Sequence, residues 1–297
     1  NISNFQRGIY FSGATNGTIQ NVNASATHSS GAGVYFDGSS NYNTISSTAA
    51  SSPSRAIWLA SSSYNTVANS TGTGGVVGIS ITGSNSNTLT NATGTSDASG
   101  AGVGIVFESG SSSNNITNST GSSNSADGIR LQGGSLYNTF SGAIGTSNSS
   151  YGIWLRESSN YNNFTNSTGT STSSYGIYLV SSSSNNISNS NATSSSSRAV
   201  YASSSANNTF ANVTAKNSQY GIYFENSANN SISGSNVTNN TATGVYIDQN
   251  SSSNTLTSNS VCSNNQDIYS ANATNSGTLN KCDSFFSWSE NSHSGCT

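Results

Sequence analysis

Glu225 and Asp248 each stand four residues after a glycine that opens an apolar run, in Gly221-Ile222-Tyr223-Phe224 and Gly244-Val245-Tyr246-Ile247. Glycoside hydrolysis needs two carboxyls at a set separation, one to supply a proton and one to attack or to activate water. Two carboxylates one sheet step apart could also hold a hard cation weakly. The plainest reading is two solvated surface acids, so the pair is carried forward only as a weak metal or catalytic candidate. Other chemistry is thinner still. The two histidines, His28 and His293, lie near opposite ends of the chain, which leaves no Ser-His-Asp constellation. Gly74-Gly75-Val76-Val77-Gly78 has no P-loop lysine. Arg156 and Glu157 are adjacent, so their side chains are expected to diverge across a strand. No catalytic residue is assigned, no cofactor is expected, and the chain is read as not an enzyme.

A second pattern is aromatic. Two residues after each strand-opening glycine or alanine stand Tyr10, Tyr35, Trp58, Trp154, Tyr178, Tyr201, Tyr223 and Tyr246, with Ser80, Val106 and Arg130 filling the remaining places, and Tyr269 continues the row after Asp267-Ile268. Rings at this spacing can stack into a ridge. Such a ridge can stiffen the strands, form a subunit contact or a base for attached glycans, or serve as a platform for an external polysaccharide.

Those positions recur because the whole chain recurs. The openings Gly8-Ile9, Gly33-Val34, Ala56-Ile57, Gly78-Ile79, Gly104-Ile105, Gly128-Ile129, Gly152-Ile153, Gly176-Ile177, Ala199-Val200, Gly221-Ile222 and Gly244-Val245 mark one unit repeated along nearly the full length. A unit this short implies a solenoid in which each repeat packs on its neighbours. Ser, Asn, Thr, Gly and β-branched residues favour short strands and tight turns over helices. In each opening strand the residues at the first and third apolar places, such as Ile129 and Leu131, share one face. A second inward row is Ile19, Ile45, Val67, Leu89, Ile116, Phe140, Phe164, Ile187, Phe210, Ile232 and Leu256. A third, small row is read as Ala92, Ser119, Ala143, Ser167, Ala192, Val213 and Val237. Asparagine stands two residues before the second row in most units, from Asn43 to Asn254, where it suits a tight bend and an axial amide ladder. The expected fold is all-β, a single-stranded right-handed parallel β-helix of about 11–12 rungs with three short strands per rung, roughly 50–55 Å long. Residues 1–270 are read as the repeat domain and 271–297 as a cysteine-containing cap or tail.

Composition removes several functions. Charged residues are 6% of the chain and the net charge is −3. Seven scattered basic residues cannot displace the counterions of a nucleic acid. No apolar stretch approaches the ~18–20 residues of a membrane span. The chain begins at Asn1 without Met or a signal-like segment, which reads as a mature or excised piece with an uncapped first rung. Of the three cysteines, Cys262 and Cys282 are the preferred disulfide, with Cys296 paired to a missing tail or another chain. Asn23, Asn69, Asn91, Asn118, Asn166, Asn191, Asn212 and Asn236 lie in Asn-x-Ser/Thr sequons and are the glycosylation candidates.

The repeat resembles the right-handed parallel β-helix repeats of secreted carbohydrate-associated proteins, NosD-like proteins among them. The tail, Val261-Cys262-Ser263-Asn264, Asp267-Ile268-Tyr269, Asn280-Lys281-Cys282-Asp283, Trp288 and Gly295-Cys296-Thr297, resembles the ending of archaeal surface proteins of that kind. The resemblance implies secretion, N-glycosylation and a surface role. It does not imply copper handling, because methionine is absent and only His28 and His293 are present. The expected function is therefore an extracellular, glycosylated structural protein that self-associates, end to end or laterally, into a filament or surface layer. The alternative is a carbohydrate-binding or polysaccharide-degrading β-helix that acts through the aromatic row with Glu225 and Asp248.

Overall fold

The computed structural model describes residues 5–97, 102–288, 290 and 292–296. Among them are three parallel sheets, of thirteen, twelve and eleven strands, in which each strand pairs with the strand three places later in the chain until the end, where Gln266–Ser270 pairs with Phe285–Phe286, two places later. The first sheet begins with Arg7–Ser12 and Ala32–Asp37, the second with Thr18–Gln20 and Thr44–Ser46, the third with Asn23–Ser25 and Ala49–Ser52. The first eleven coils thus visit each sheet once, and no helix occurs among the described residues.

The register matches the apolar periodicity. Ile129 pairs with Ile153 and Ile153 with Ile177, with Leu131, Leu155 and Leu179 in step beside them. The second row is likewise continuous, and Phe140 and Phe164 stack at 4.3 Å inside it. Both rows are buried, apart from Ile9 and Phe11 of the first coil, which are partly buried.

The third inward row differs from its sequence reading. Sheet register aligns Gly94, Gly121, Gly145, Gly169, Ala192, Ala215 and Val237. Ala92, Ser119, Ala143, Ser167 and Val213 belong instead to the buried turn just before that strand. The reason is close approach between backbones. A Cβ on Gly145 would come closer than 3.0 Å to Gly152 O and Ile153 Cγ1 of the first sheet, and Gly121 meets Gly128 and Ile129 in the same way. Glycine leaves no hydrophobic signature, so the row is silent in the sequence.

Turns between the first and second sheets are closed by the asparagine ladder. Each carboxamide oxygen accepts the backbone N–H of the asparagine one coil earlier, as in Asn138 N to Asn162 Oδ1 (2.8 Å) and Asn162 N to Asn185 Oδ1 (2.8 Å). Nδ2 donates to a backbone carbonyl and to the next carboxamide, satisfying all the polar groups of a buried site. The ladder continues past Asn254 to Asn275. Serine hydroxyls form a parallel file three residues upstream, for example Ser182 N to Ser205 Oγ at 3.1 Å.

Coiling persists into the tail through Ser276–Thr278 and Phe285–Phe286. The preferred disulfide is corrected there: Cys262 bonds Cys296, with Cα atoms 5.8 Å apart, and Cys282 is free and buried. Ser260 pairs with Lys281, so Cys282 follows Val261 in the interior column while Cys262 lies on the other face of the strand. Burial first, and the carboxylates of Glu290, Asp267 and Asp283 next, push the Cys282 thiol up to about 11. Iodoacetamide is therefore expected to label one cysteine only after unfolding, and peptide mapping to recover Cys262 and Cys296 cross-linked. A labelled native protein, or a Cys282-containing cross-link, would contradict this pairing.

Candidate functional site

Strand alternation in the first sheet sends one row outward, and the structure forms the predicted ridge in two segments. Tyr10, Tyr35 and Trp58 stack at 5.4 and 4.4 Å. Trp154, Tyr178, Tyr201, Tyr223, Tyr246 and Tyr269 form the longer segment, with centroids 4.4–6.1 Å apart, and Phe286 extends it at 5.1 Å. Ser80, Val106 and Arg130 separate the segments. A flanking file of Tyr151, Tyr175 and Tyr220 packs edge-on against the long segment.

The arginines, which look scattered along the sequence, converge on this face. The chain has five, and every one lies over a ring of the ridge. Arg7 sits 4.0 Å from the Tyr10 centroid, Arg55 4.5 Å from Trp58, Arg156 4.4 Å from Trp154, and Arg198 4.3 Å from Tyr223. A signal was available. Arg7, Arg55, Tyr151, Tyr175, Arg198 and Tyr220 all occupy the place immediately before the strand-opening glycine or alanine. Arg130 and Arg156 reach the same face from other offsets, so no single period collects all five.

Three arginines are paired with acids: Arg55 with Glu108 (3.6 Å), Arg130 with Asp127 (2.5 Å) and Arg156 with Glu157 (2.5 Å). The last pair overturns the expectation that neighbouring side chains diverge. Glu157 has a left-handed backbone, φ 54°, and the chain turns its carboxylate back. Among the described residues Arg7 and Arg198 have no carboxylate within ion-pair distance. Arg198 donates to Tyr175 Oη at 3.2 Å, and its buried Nε has no hydrogen-bond partner.

Glu225 and Asp248 do not converge. Glu225 turns toward the preceding coil, where its carboxylate accepts the Tyr201 hydroxyl and Ser203 Oγ. Asp248 accepts the backbone N–H groups of Asn226 (3.3 Å) and Asn250 (3.2 Å). Each carboxylate is thus committed to its own set of donors. Burial first, and then the Glu225 hydrogen bond, raise the Tyr201 hydroxyl well above its ordinary range. Burial, with Tyr151 and Tyr175 beside it, pushes Tyr178 up to about 12. These phenols stay protonated, and Tyr201 donates to Glu225.

Asp267, Asp283 and Cys296 also lie together. Cys296 is consumed by the disulfide, and Asp267 accepts the N–H groups of Asp283 (2.8 Å) and Ser284 (3.1 Å), which makes this a closure of the last coil. Concavities are shallow. One of about 360 Å³ lies on the ridge against Tyr151, Trp154, Arg156, Glu157 and Tyr178. Another, about 230 Å³, lies on the third sheet among Asn, Ala, Ser and Thr, without an ionisable group.

The eight sequon asparagines are all exposed. Asn69, Asn91, Asn118, Asn166 and Asn212 share one turn column in the left-handed conformation, where Asn91 Nδ2 already donates to Asn69 Oδ1 at 3.0 Å.

A family model described as a right-handed β-helix region matches residues 7–168 and 151–286. The chain belongs to the right-handed β-helix family. Among solved structures it is similar to the periplasmic alginate epimerase AlgG, at 14% identity over 93% of this chain and 73% of that one, with a TM-score of 0.61. A double mutant of the same epimerase gives 13% identity, 94% and 75% coverage, and a TM-score of 0.62. No curated relative matches in sequence. At these identities the likeness concerns the fold. It nevertheless corrects the expectation of a non-enzyme, which was drawn from the scarcity and scatter of acids: solved structures built on the same coil are epimerases.

Proposed function

We propose that this chain is a carbohydrate-active β-helix that holds an acidic polysaccharide along the outer face of its first sheet. The observation that carries the reading is the gathering of all five arginines onto the aromatic row. Guanidinium groups pair with carboxylates in a planar, bidentate fashion, and Arg7 and Arg198 are not already committed to one. One rung, about 4.8 Å, is close to the length of one pyranose unit, so a polymer lying along the axis would meet the same row at every sugar. The alginate epimerases of similar fold support an acidic ligand. Turnover is the second element of the proposal. Tyr201 and Glu225, hydrogen-bonded beside Arg198, are the groups on this face best placed to hold or pass a proton.

Titration calorimetry with oligomers of alginate and of polygalacturonate tests binding. Arg198→Gln is expected to weaken it by about tenfold or more, and raised salt to weaken it further. Proton NMR of the sugar in D₂O, together with a reducing-end assay, tests turnover. Absence of binding to every acidic polymer tried would remove the proposal.

The disulfide supports action in an oxidising compartment outside the cytoplasm. Exposure of the eight sequons supports their use as glycan sites. Assembly into a surface layer or filament is the second reading, supported by Phe286, which ends the ridge 53% exposed.

A further inference from the structure

A second aromatic file lies away from the ridge, on the turns between the first and second sheets. Tyr42, Tyr64, Tyr137 and Tyr161 occupy one turn column and are 51–58% exposed. Their backbone is left-handed, φ 56–60°. That conformation is unfavourable for a bulky side chain and is ordinarily filled by Asn or Gly. Other coils of the column use asparagine or serine, such as Asn16, Ser86, Ser113 and Ser184. The fold therefore closes this turn without tyrosine, and four coils carry it against backbone preference.

The rings pair off, Tyr42 on Tyr64 at 5.0 Å and Tyr137 on Tyr161 at 5.1 Å, nearly parallel. Among the described residues no ring or cation covers the remaining face of Tyr64 or of Tyr137. Those two faces look toward each other across the coils of Ser86 and Ser113, as the hydrogen bonds Tyr64 N to Asn85 O, Ser86 N to Ser112 O and Ser113 N to Leu136 O fix the order. Three rung steps set the two rings about 14 Å apart. The ridge of the first sheet is interrupted over the same stretch, at Ser80, Val106 and Arg130, the last on the coil of Tyr137. In the ridge itself the ring faces are taken up by neighbouring rings and by arginines, which leaves mainly edges outward.

We propose that the interval between Tyr64 and Tyr137 is a second, independent binding site for a neutral polysaccharide, whose pyranose rings lie flat on the two tyrosine faces. Asn85, Ser86, Ser112 and Ser113 lie on the two coils between them; Asn85 Oδ1 accepts Ser112 N–H and Ser112 Oγ is held by Gly110 O and Leu136 N–H, which leaves Asn85 Nδ2 and the Ser86 and Ser113 hydroxyls to meet sugar hydroxyls. The nearest acid toward the ridge, Glu108, is already met by Arg55, Thr82 and Gln132. Nothing in this interval selects for charge. The site does not rest on the acidic-ligand reading of the ridge.

Calorimetry with cellohexaose, laminarihexaose and mannohexaose should show binding of at least one by the wild-type chain. The double variant Tyr64→Asn, Tyr137→Asn should lose at least tenfold in affinity, with a melting temperature equal to or above wild type, because asparagine suits the left-handed turn. Arg198→Gln should bind the neutral oligomer as wild type does. The proposal fails if no neutral oligomer binds, if the double variant binds undiminished, or if it melts clearly lower, which would make the rings packing elements. It also fails if Arg198→Gln abolishes neutral binding. Acidic binding lost through Arg198→Gln, with no neutral binding anywhere, would remove this site and leave the ridge reading intact.

Discussion

Replacing Asn162 with leucine is expected to cost about 4 kcal/mol of stability, far more than the loss of one surface amide would suggest. Asn162 is 1% exposed, and its Oδ1 is the acceptor for the Asn138 backbone N–H. Its Nδ2 serves the Ser135 carbonyl at 3.0 Å. Leucine fills the volume but orphans a buried donor and a buried acceptor, each worth about 1–3 kcal/mol when stranded. The loss falls mid-solenoid, where coils are stabilised chiefly by their nearest neighbours. Guanidinium unfolding should move to lower midpoint and split into two transitions. Asn148→Leu, at an exposed amide, should stay within about 0.5 kcal/mol of wild type. Equal effects of the two substitutions would show that the ladder is not a stabilising element.

Gly145→Val should be among the severely damaging changes inside the third sheet. Its Cβ alone would intrude on Gly152 O, Gly152 C and Ile153 Cγ1 at less than 3.0 Å. Two of those atoms belong to backbone that is hydrogen-bonded to the coils above and below, so the neighbour cannot give way. Overpacking of about 3 kcal/mol or more is expected, seen as loss of soluble protein or a large fall in melting temperature. Ala215→Val is the control. Its neighbour one coil on is already Val237, and the interior there accepts branched side chains. A soluble Gly145→Val variant that melts like wild type would refute the close-approach account of the glycine row.

These two cases show what the sequence could and could not announce. Ile129, Ile153, Ile177 and the Phe140–Phe164 row are large, alternate with polar residues and recur at one spacing, so two sheets are plain from pattern alone. The third sheet hides because its inward residue is often glycine, and hydrophobicity pointed to Ala92 and Val213 one turn early. Asn43 to Asn254 announced the ladder because only one residue type fits. The aromatic row was equally visible. Its arginine partners were harder to see, since Arg130 and Arg156 come from other places in the repeat than Arg7, Arg55 and Arg198. Glu225 and Asp248 looked like a pair because sequence spacing gives coil and face but not the direction a carboxylate takes. Cys262 and Cys282 failed as a bond for a related reason: in a strand, neighbours in the pleat look to opposite sides.

The amide ladder also gives the molecule a heading. Each Oδ1 takes a proton donor from the coil before it, and no link reverses. The spine therefore has a distinct front and rear, like a row of arrows. Two such bodies brought front to rear could prolong the series, whereas front to front would set acceptors against acceptors. Any axial growth of this molecule would inherit that polarity.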